Sequence, residues 1–174
     1  LEEITIPVIQ NGTTLNSLVF NGCISLRKVS FVYSAPEGNL SISFPSVFGN
    51  CVNLETVRVS DSRDFSIEKG VVYDSKKTNL VYYPPARRDA SYKVLEGSNI
   101  SMQAFFQSQY LKTVCIGHNI SIGNDAFAFM KSLESVYYCG SRKVMNSLFN
   151  NTRMDLTIQV TKDYNETTFG MRNV

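Results

Sequence analysis

Charge is scarce in this chain. Asp, Glu, Lys and Arg make up 18% of its 174 residues, below the roughly 25% usual in soluble domains. The balance is even: 17 basic against 15 acidic side chains, a net charge of +2. That excludes a nucleic-acid binder working through charge alone. Histidine occurs once, as His118, and tryptophan not at all. A lone His leaves no second imidazole for a metal site, and it lies in Ile116-Gly117-His118-Asn119, which reads as a turn rather than a base in a hydrolytic centre. No apolar run approaches the roughly 18 residues of a membrane span. No phosphate-binding glycine loop is present. The four cysteines form no C-x-x-C pair, against a zinc or thioredoxin-type site. No catalytic residue, metal or cofactor is therefore expected. The chain opens on Leu without a basic-then-apolar leader, and the reading is a fragment of something longer.

In place of charge there is uncharged polarity: 20 Ser, 11 Thr and 15 Asn. Hydrophobic residues, at 43%, are ample for a core.

The chain repeats. Four segments share a Phe, a small or sulfur-bearing residue three positions on, a Leu three further, and then an apolar residue at every second or third position. They start at Phe20, Phe48, Phe105 and Phe127 and place Leu at 26, 54, 111 and 133. Leu1 (LEEITIP) and Leu80 (LVYYPP) fit more loosely, which gives steps of 25, 28, 26, 31 and 22 residues. Such a period means a solenoid. The alternation after each Leu predicts a strand, and stacked strands would lie about 4.8 Å apart in parallel. Phe, the small residue and Leu line one side of a short helical turn. Gly70–Asp74 and Asn79–Tyr83 flank the polar link Ser75–Thr78 and predict a hairpin inside a variant repeat spanning about 61–90. The whole of 1–174 reads as one solenoid closed by a segment from about 156.

LEEITIP, SIGNDAF at 121–127, and F-x-x-C at Phe20/Cys23 and Phe48/Cys51 resemble the repeats of BspA-like leucine-rich repeat proteins. The hairpin segment GVVYDSKKTNLVYYPP and the tail from Leu156 are similar to that family's variant and closing repeats. Ser108 and Met130 depart from it by replacing Cys. The resemblance implies a leucine-rich repeat solenoid: stacked parallel strands on one face, short helical turns and loops on the other. It also implies an adhesin-like protein, secreted or at the cell surface, whose partner is a protein or glycan of host, matrix or another microbe. Any membrane association would come through an anchor outside this segment, and nucleic acid is not expected.

On the outward strand face, the residue after each Leu gives the row Glu2, Arg27, Glu55, Val81, Lys112, Glu134, whose signs alternate and predict a salt-bridge ladder. Three positions on lies the row Thr5, Ser30, Arg58, Pro84, Cys115, Tyr137. Arg58, Tyr137 and nearby Tyr82 are the candidate partner-binding residues, because exposed Tyr and Arg anchor interfaces. Arg87-Arg88 reads as a solvated basic turn, with contact to sulfated glycans or acidic partners as the alternative. Cys23 and Cys51 share an inward position and read as buried thiols, with a disulfide as the alternative. Cys115 and Cys139 are expected to face outward. Asn11, Asn39, Asn99, Asn119, Asn150 and Asn165 each begin an N-x-[ST] triplet, six in all, and are candidate glycan acceptors. Two other functions compete with the adhesin reading: a spacer array that displays another region, and a solenoid enzyme acting on polysaccharide. That chemistry wants Asp, Arg, Lys or His clustered together on neighbouring strands, and the rows above, with their spread and alternating charges, show no such cluster.

Overall fold

The computed structural model describes residues 1–60 and 62–174. Asp61, where the expected variant repeat begins, lies outside the described residues. The chain is a β-solenoid of parallel stacked strands. Its only α-helix among the described residues is one turn, α1 (Phe44–Val47).

The strands that follow each Leu position form two parallel ladders. The first contains β1 (Glu3–Val8), β3 (Lys28–Tyr33) and β5 (Thr56–Ser60), paired in that order. The second contains β9 (Ser91–Lys93), β11 (Thr113–Ile116), β12 (Ser135–Tyr138) and β13 (Thr157–Val160). Alternation fixes which side faces in. Val29, Phe31, Val57, Val114, Ile116, Val136 and Tyr138 are buried, while the residues between them face solvent or are half-covered.

On the return path, β2 (Thr13–Leu15) pairs in parallel with β4 (Leu40–Ile42). The first two returns re-enter the ladder through consecutive three-residue turns. Cys23 N–H donates to Phe20 O and Leu26 N–H to Cys23 O, and the same pair of bonds recurs from Phe48 through Cys51 to Leu54. These are the short helical turns that the spacing predicts. A period of three puts Phe, Cys and Leu on one side. The Phe rings then stack from rung to rung: Phe20 on Phe48 with centroids 5.6 Å apart, and Phe105, Phe127 and Phe149 in a column at 5.2 and 5.5 Å. Such pairs add about 0.5–1.5 kcal/mol each beyond area burial.

Between the ladders stands the variant repeat. β6 (Phe65–Glu68), β7 (Val71–Asp74) and β8 (Asn79–Tyr82) run antiparallel to their neighbours, so the expected hairpin is present with a third strand on its flank. β8 also pairs in parallel with β10 (Asn99–Ile100). Asp74 ties the turn: its carboxylate accepts from Thr78 N–H at 2.7 Å, Thr78 O–H at 2.6 Å, and the backbone and side-chain N–H groups of Asn79 at 3.1 and 2.7 Å. The hairpin is a septum between two cores. Val72 and Tyr82 join Phe31, Phe44 and Phe48 on one side, and Val71, Tyr73, Leu80 and Tyr83 join Phe105 and Phe127 on the other.

The register of the variant repeat differs from the sequence reading. Leu80 does not open a ladder strand. Lys112 N–H bonds Ala90 O, just as Glu134 N–H bonds Lys112 O, so the position equivalent to Leu111 and Leu133 is Asp89. Tyr83 occupies the Phe position, its ring 5.2 Å from Phe105, and Ala86 the Cys position. The same step carried forward from Leu133 reaches Asp155, after Phe149. β14 (Thr168–Phe169) and β15 (Arg172–Asn173) then form a small hairpin at the end, with Phe169 buried against Tyr138, centroids 4.9 Å apart.

Candidate binding face

With the register corrected, the row after the Leu position reads Glu2, Arg27, Glu55 in the first ladder and Ala90, Lys112, Glu134 in the second. Val81 is not part of it. The alternating charges do pair: Arg27 with Glu55 at 3.0 Å, Lys112 with Glu134 at 3.2 Å. Lys28 meets Glu3 at 2.9 Å one position further on. All are exposed pairs that contribute at most about 1 kcal/mol each.

The candidate row also changes. Thr5, Ser30 and Arg58 lie side by side, and so do Lys93, Cys115, Tyr137 and Gln159. Pro84 is buried away from the row, and Lys93 takes its place. Arg58 is exposed, and Tyr137 is 38% exposed. Tyr82 is not a surface anchor. It is 2% exposed and stacks on Phe44 at 5.6 Å, because its inward position on β8 points it into the first core. Beside the second row runs an unbroken line of hydroxyls, Ser91, Thr113, Ser135 and Thr157.

Arg87-Arg88 is more than a solvated turn. Arg87 Nε donates to Asp89 Oδ2 at 2.9 Å and Nη2 to the same oxygen at 2.5 Å; Tyr83 O–H donates to it at 2.8 Å. The guanidinium lies 5.4 Å over the Tyr83 ring, and Arg88 lies 5.3 Å over Tyr110. Burial, then the adjacent Asp89, pushes the Tyr83 phenol above its ordinary value. The same device recurs at the equivalent positions three rungs on. Arg153 grips Asp155 through Nε at 2.7 Å and Nη2 at 2.6 Å.

A cleft of about 240 Å³ opens beside Arg87, lined by Lys69, Arg87, Asp89, Ser91, Tyr92 and Lys93. Another of about 320 Å³ adjoins it, lined by Glu55 and residues 86–89. Lys69 and Lys93 escaped the sequence reading. The signal was there: stepping back 22 residues from Leu111 lands on Asp89 and sets Ser91-Tyr92-Lys93-Val94 as the strand. A separate cleft of about 650 Å³ is lined by Tyr33–Glu37 and Arg63. Burial and the bond to Asp64 at 2.8 Å push the Tyr33 phenol up to about 12, against the lowering effect of its bond with Ser62.

All four cysteines are free. Cys51 is buried, its thiol donating to Phe20 O at 2.9 Å, and burial pushes that thiol up to about 11. Cys23 is only half-buried, because Phe20 beside it is too. Cys139 is exposed and Cys115 partly so. Of the glycan-acceptor candidates, Asn11, Asn39, Asn119, Asn150 and Asn165 are exposed and Asn99 is half-buried. Asn99 Oδ1 accepts from Ser121 N–H at 2.9 Å, and Asn150 donates to Asp125 at 2.5 Å. His118 is exposed in its turn.

The model of the BspA-type leucine-rich repeat region matches residues 1–102 and 96–155, in six copies. The chain belongs to this family. No curated protein matches it. Among solved structures, the pneumococcal vaccine antigen PcpA superposes with a TM-score of 0.55 at 16% identity, over 94% of this chain and 58% of that one. A leucine-rich repeat protein from Eubacterium ventriosum gives 0.51 at 16%, over 84% and 63%. This BspA-type chain thus spans about three-fifths of the length of those proteins. At that identity they share its fold.

Proposed function

We propose that this segment is a non-catalytic, adhesin-like binding module, secreted or displayed at a cell surface, that recognises a protein or glycan through the outward face of its strand ladders. The observation that carries the reading is the second ladder: an in-register line of four hydroxyls beside Lys93, Cys115 and the exposed Tyr137. Solenoids commonly bind through such extended repeat surfaces. Hydroxyls both donate and accept, and an exposed Tyr ring is a stacking platform. Family membership and the antigen named among its structural neighbours support the surface setting. Exposed Asn11, Asn39, Asn119 and Asn165 fit glycan attachment if the source cell glycosylates.

The test is binding of the chain to an array of matrix proteins, host-cell glycans and microbial surfaces, with Tyr137→Ala and Arg58→Ala alongside. A partner bound by the parent and lost in Tyr137→Ala supports the reading. Binding to nothing on the array overturns it. If a protein carrying this chain alongside another binding region keeps its binding after these residues are deleted, the repeats are a spacer.

A further inference from the structure

The strand ladder has one break, between β5 and β9, and it is there that unpaired positive charge gathers. β5 ends the first ladder and β9 begins the second. The chain approaches closely at one point, where Ala86 N–H bonds Leu54 O at 2.9 Å, and then opens into the two clefts around Arg87. The Lys69-Gly70 tip of the β6–β7 hairpin enters the same place. Gly70, at φ 78°, presses against the Arg87 guanidinium, and a Cβ there would collide with Nη1. Arg87 is therefore fixed from three sides: by Gly70, by the Tyr83 ring and by Asp89.

Lys69, Arg88 and Lys93 surround it, and Arg58 holds on β5 the position that Lys93 holds on β9. All four are exposed, and among the described residues none has a carboxylate within 4.0 Å. The acidic groups nearest the break are already occupied, Asp89 by Arg87, Glu55 by Arg27 and Glu68 by Lys77. The rest of the ladder face pairs its charges in alternation. The break is where that neutralisation fails.

We propose that the break binds an acidic polysaccharide, one carrying sulfate or carboxylate groups. This rests on the binding-module reading above and names its ligand class and its place. The clefts contain no aliphatic side chain larger than Ala86, so they offer no hole for a peptide's apolar anchor. They open instead onto the hydroxyl line that starts at Ser91, beside Lys93. A chain of sugars seats its anionic groups on Lys69, Lys93 and Arg88, and its hydroxyls along Ser91, Thr113 and Ser135. Arg87, held by Asp89, gives the site a fixed wall.

The experiment measures binding of the chain to heparin, to polygalacturonate and to neutral dextran, at two salt concentrations. Three proteins are compared: the parent, Lys69→Gln/Lys93→Gln, and a charge-matched control, Lys131→Gln/Lys162→Gln, which alters exposed lysines far along the chain. The expected result is binding to heparin or polygalacturonate but not dextran, weakened about tenfold in the first double variant and less than twofold in the control. Heparin alone identifies sulfate as the recognised group, and polygalacturonate alone identifies carboxylate. Equal weakening in both variants overturns the site, because net charge then suffices. So does absence of binding to either polyanion. If a protein or neutral glycan is nevertheless captured through Tyr137, the binding-module reading survives without this inference. Circular dichroism confirms that both variants are folded.

Discussion

In the C-terminal half, Asp89, Leu111, Leu133 and Asp155 follow one another at intervals of 22 residues, whereas Leu26 and Leu54 stand 28 apart and Leu54 and Asp89 stand 35 apart. Both halves build the same rung, a strand preceded by a three-residue turn that starts at the Phe position. The longer steps spend their extra residues on the return path, as β2, β4 and α1 in the first half and as the three-stranded septum in the middle. The short steps replace all of that with tight turns. The turn common to both halves places Gly22, Asn50, Gln107, Phe129 and Asn151 at φ between 55 and 72°. A Phe is poorly suited to that conformation, and its ring is left half-exposed, resting edge-on against Phe106 at 5.2 Å. The first return differs in burial from the rest, Phe48 and Cys51 being covered like their counterparts in the second half. Phe105, Ser108, Phe127 and Met130 are fully covered; Phe20 and Cys23, in the first return, are not. What a repeat must conserve is the turn and the strand, and the length between them is free.

The largest expected effect comes from cutting the aromatic column where it is continuous. Phe127→Ala removes a ring stacked between Phe105 and Phe149, and it should cost about 3–5 kcal/mol in urea unfolding. Phe20→Ala, with one stacking partner and partial exposure, should cost less than about half of that. Equal losses would erase the distinction between the first return and the rest.

Tyr82→Ala tests the septum. It removes the ring on which Phe44 stacks, and should cost about 3 kcal/mol. Tyr82→Phe keeps the stack and should stay within about 1 kcal/mol of the parent. A loss of ligand binding in Tyr82→Phe without loss of stability would restore Tyr82 to the surface.

Asp74→Ala should cost about 1–2 kcal/mol by freeing the hairpin turn. Burial raises the Asp74 carboxyl, but the bonds from Thr78 and Asn79 outweigh it and hold the group below the usual carboxylate range. Its contribution is therefore complete above the ordinary Asp value of about 3.9 and is lost as pH falls through the lowered folded value. Acid unfolding of Asp74→Ala should show less pH dependence than the parent below about pH 4. An unchanged acid profile would show that the septum does not depend on this turn.

The smallest effect belongs to the ladder face. Glu134, which meets Lys112 at 3.2 Å and Arg153 at 3.6 Å, is half-exposed. Glu134→Gln should cost less than about 1 kcal/mol, and less still in high salt. A larger loss would mean that the regular half leans on its surface charges.

The repeat, the hairpin and the family were legible because each is written in apolar spacing: Phe, Leu and Val at fixed intervals, with a polar link at Ser75–Thr78. The variant rung was not. Its Leu position is Asp89, its Phe position Tyr83, and an apolar template passes over both in favour of Leu80 nearby. That single displacement misplaced Tyr82 and Pro84 and hid Lys93. The strand of the last rung was not legible as a ladder strand, since Asp155 stands where Leu is expected. The pairing of Arg27 with Glu55 and of Lys112 with Glu134 was legible because it needs only sign and register, and both lie in rungs that were placed correctly.

Asp89 and Asp155 stand at the first and last strands of the second ladder, each clasped by the Arg two residues before it, with Leu111 and Leu133 between them. A polar rung at each boundary closes the Leu column off. The stretch it encloses is thus a cassette of identical gauge, whose count of 22-residue units can change without disturbing either boundary. Duplicating one unit lengthens the ladder by a single rung, about 4.8 Å, and moves the Arg58–Lys93 break no nearer to the closing hairpin's own contacts. The length of the ladder face is thus set by the number of 22-residue units it holds.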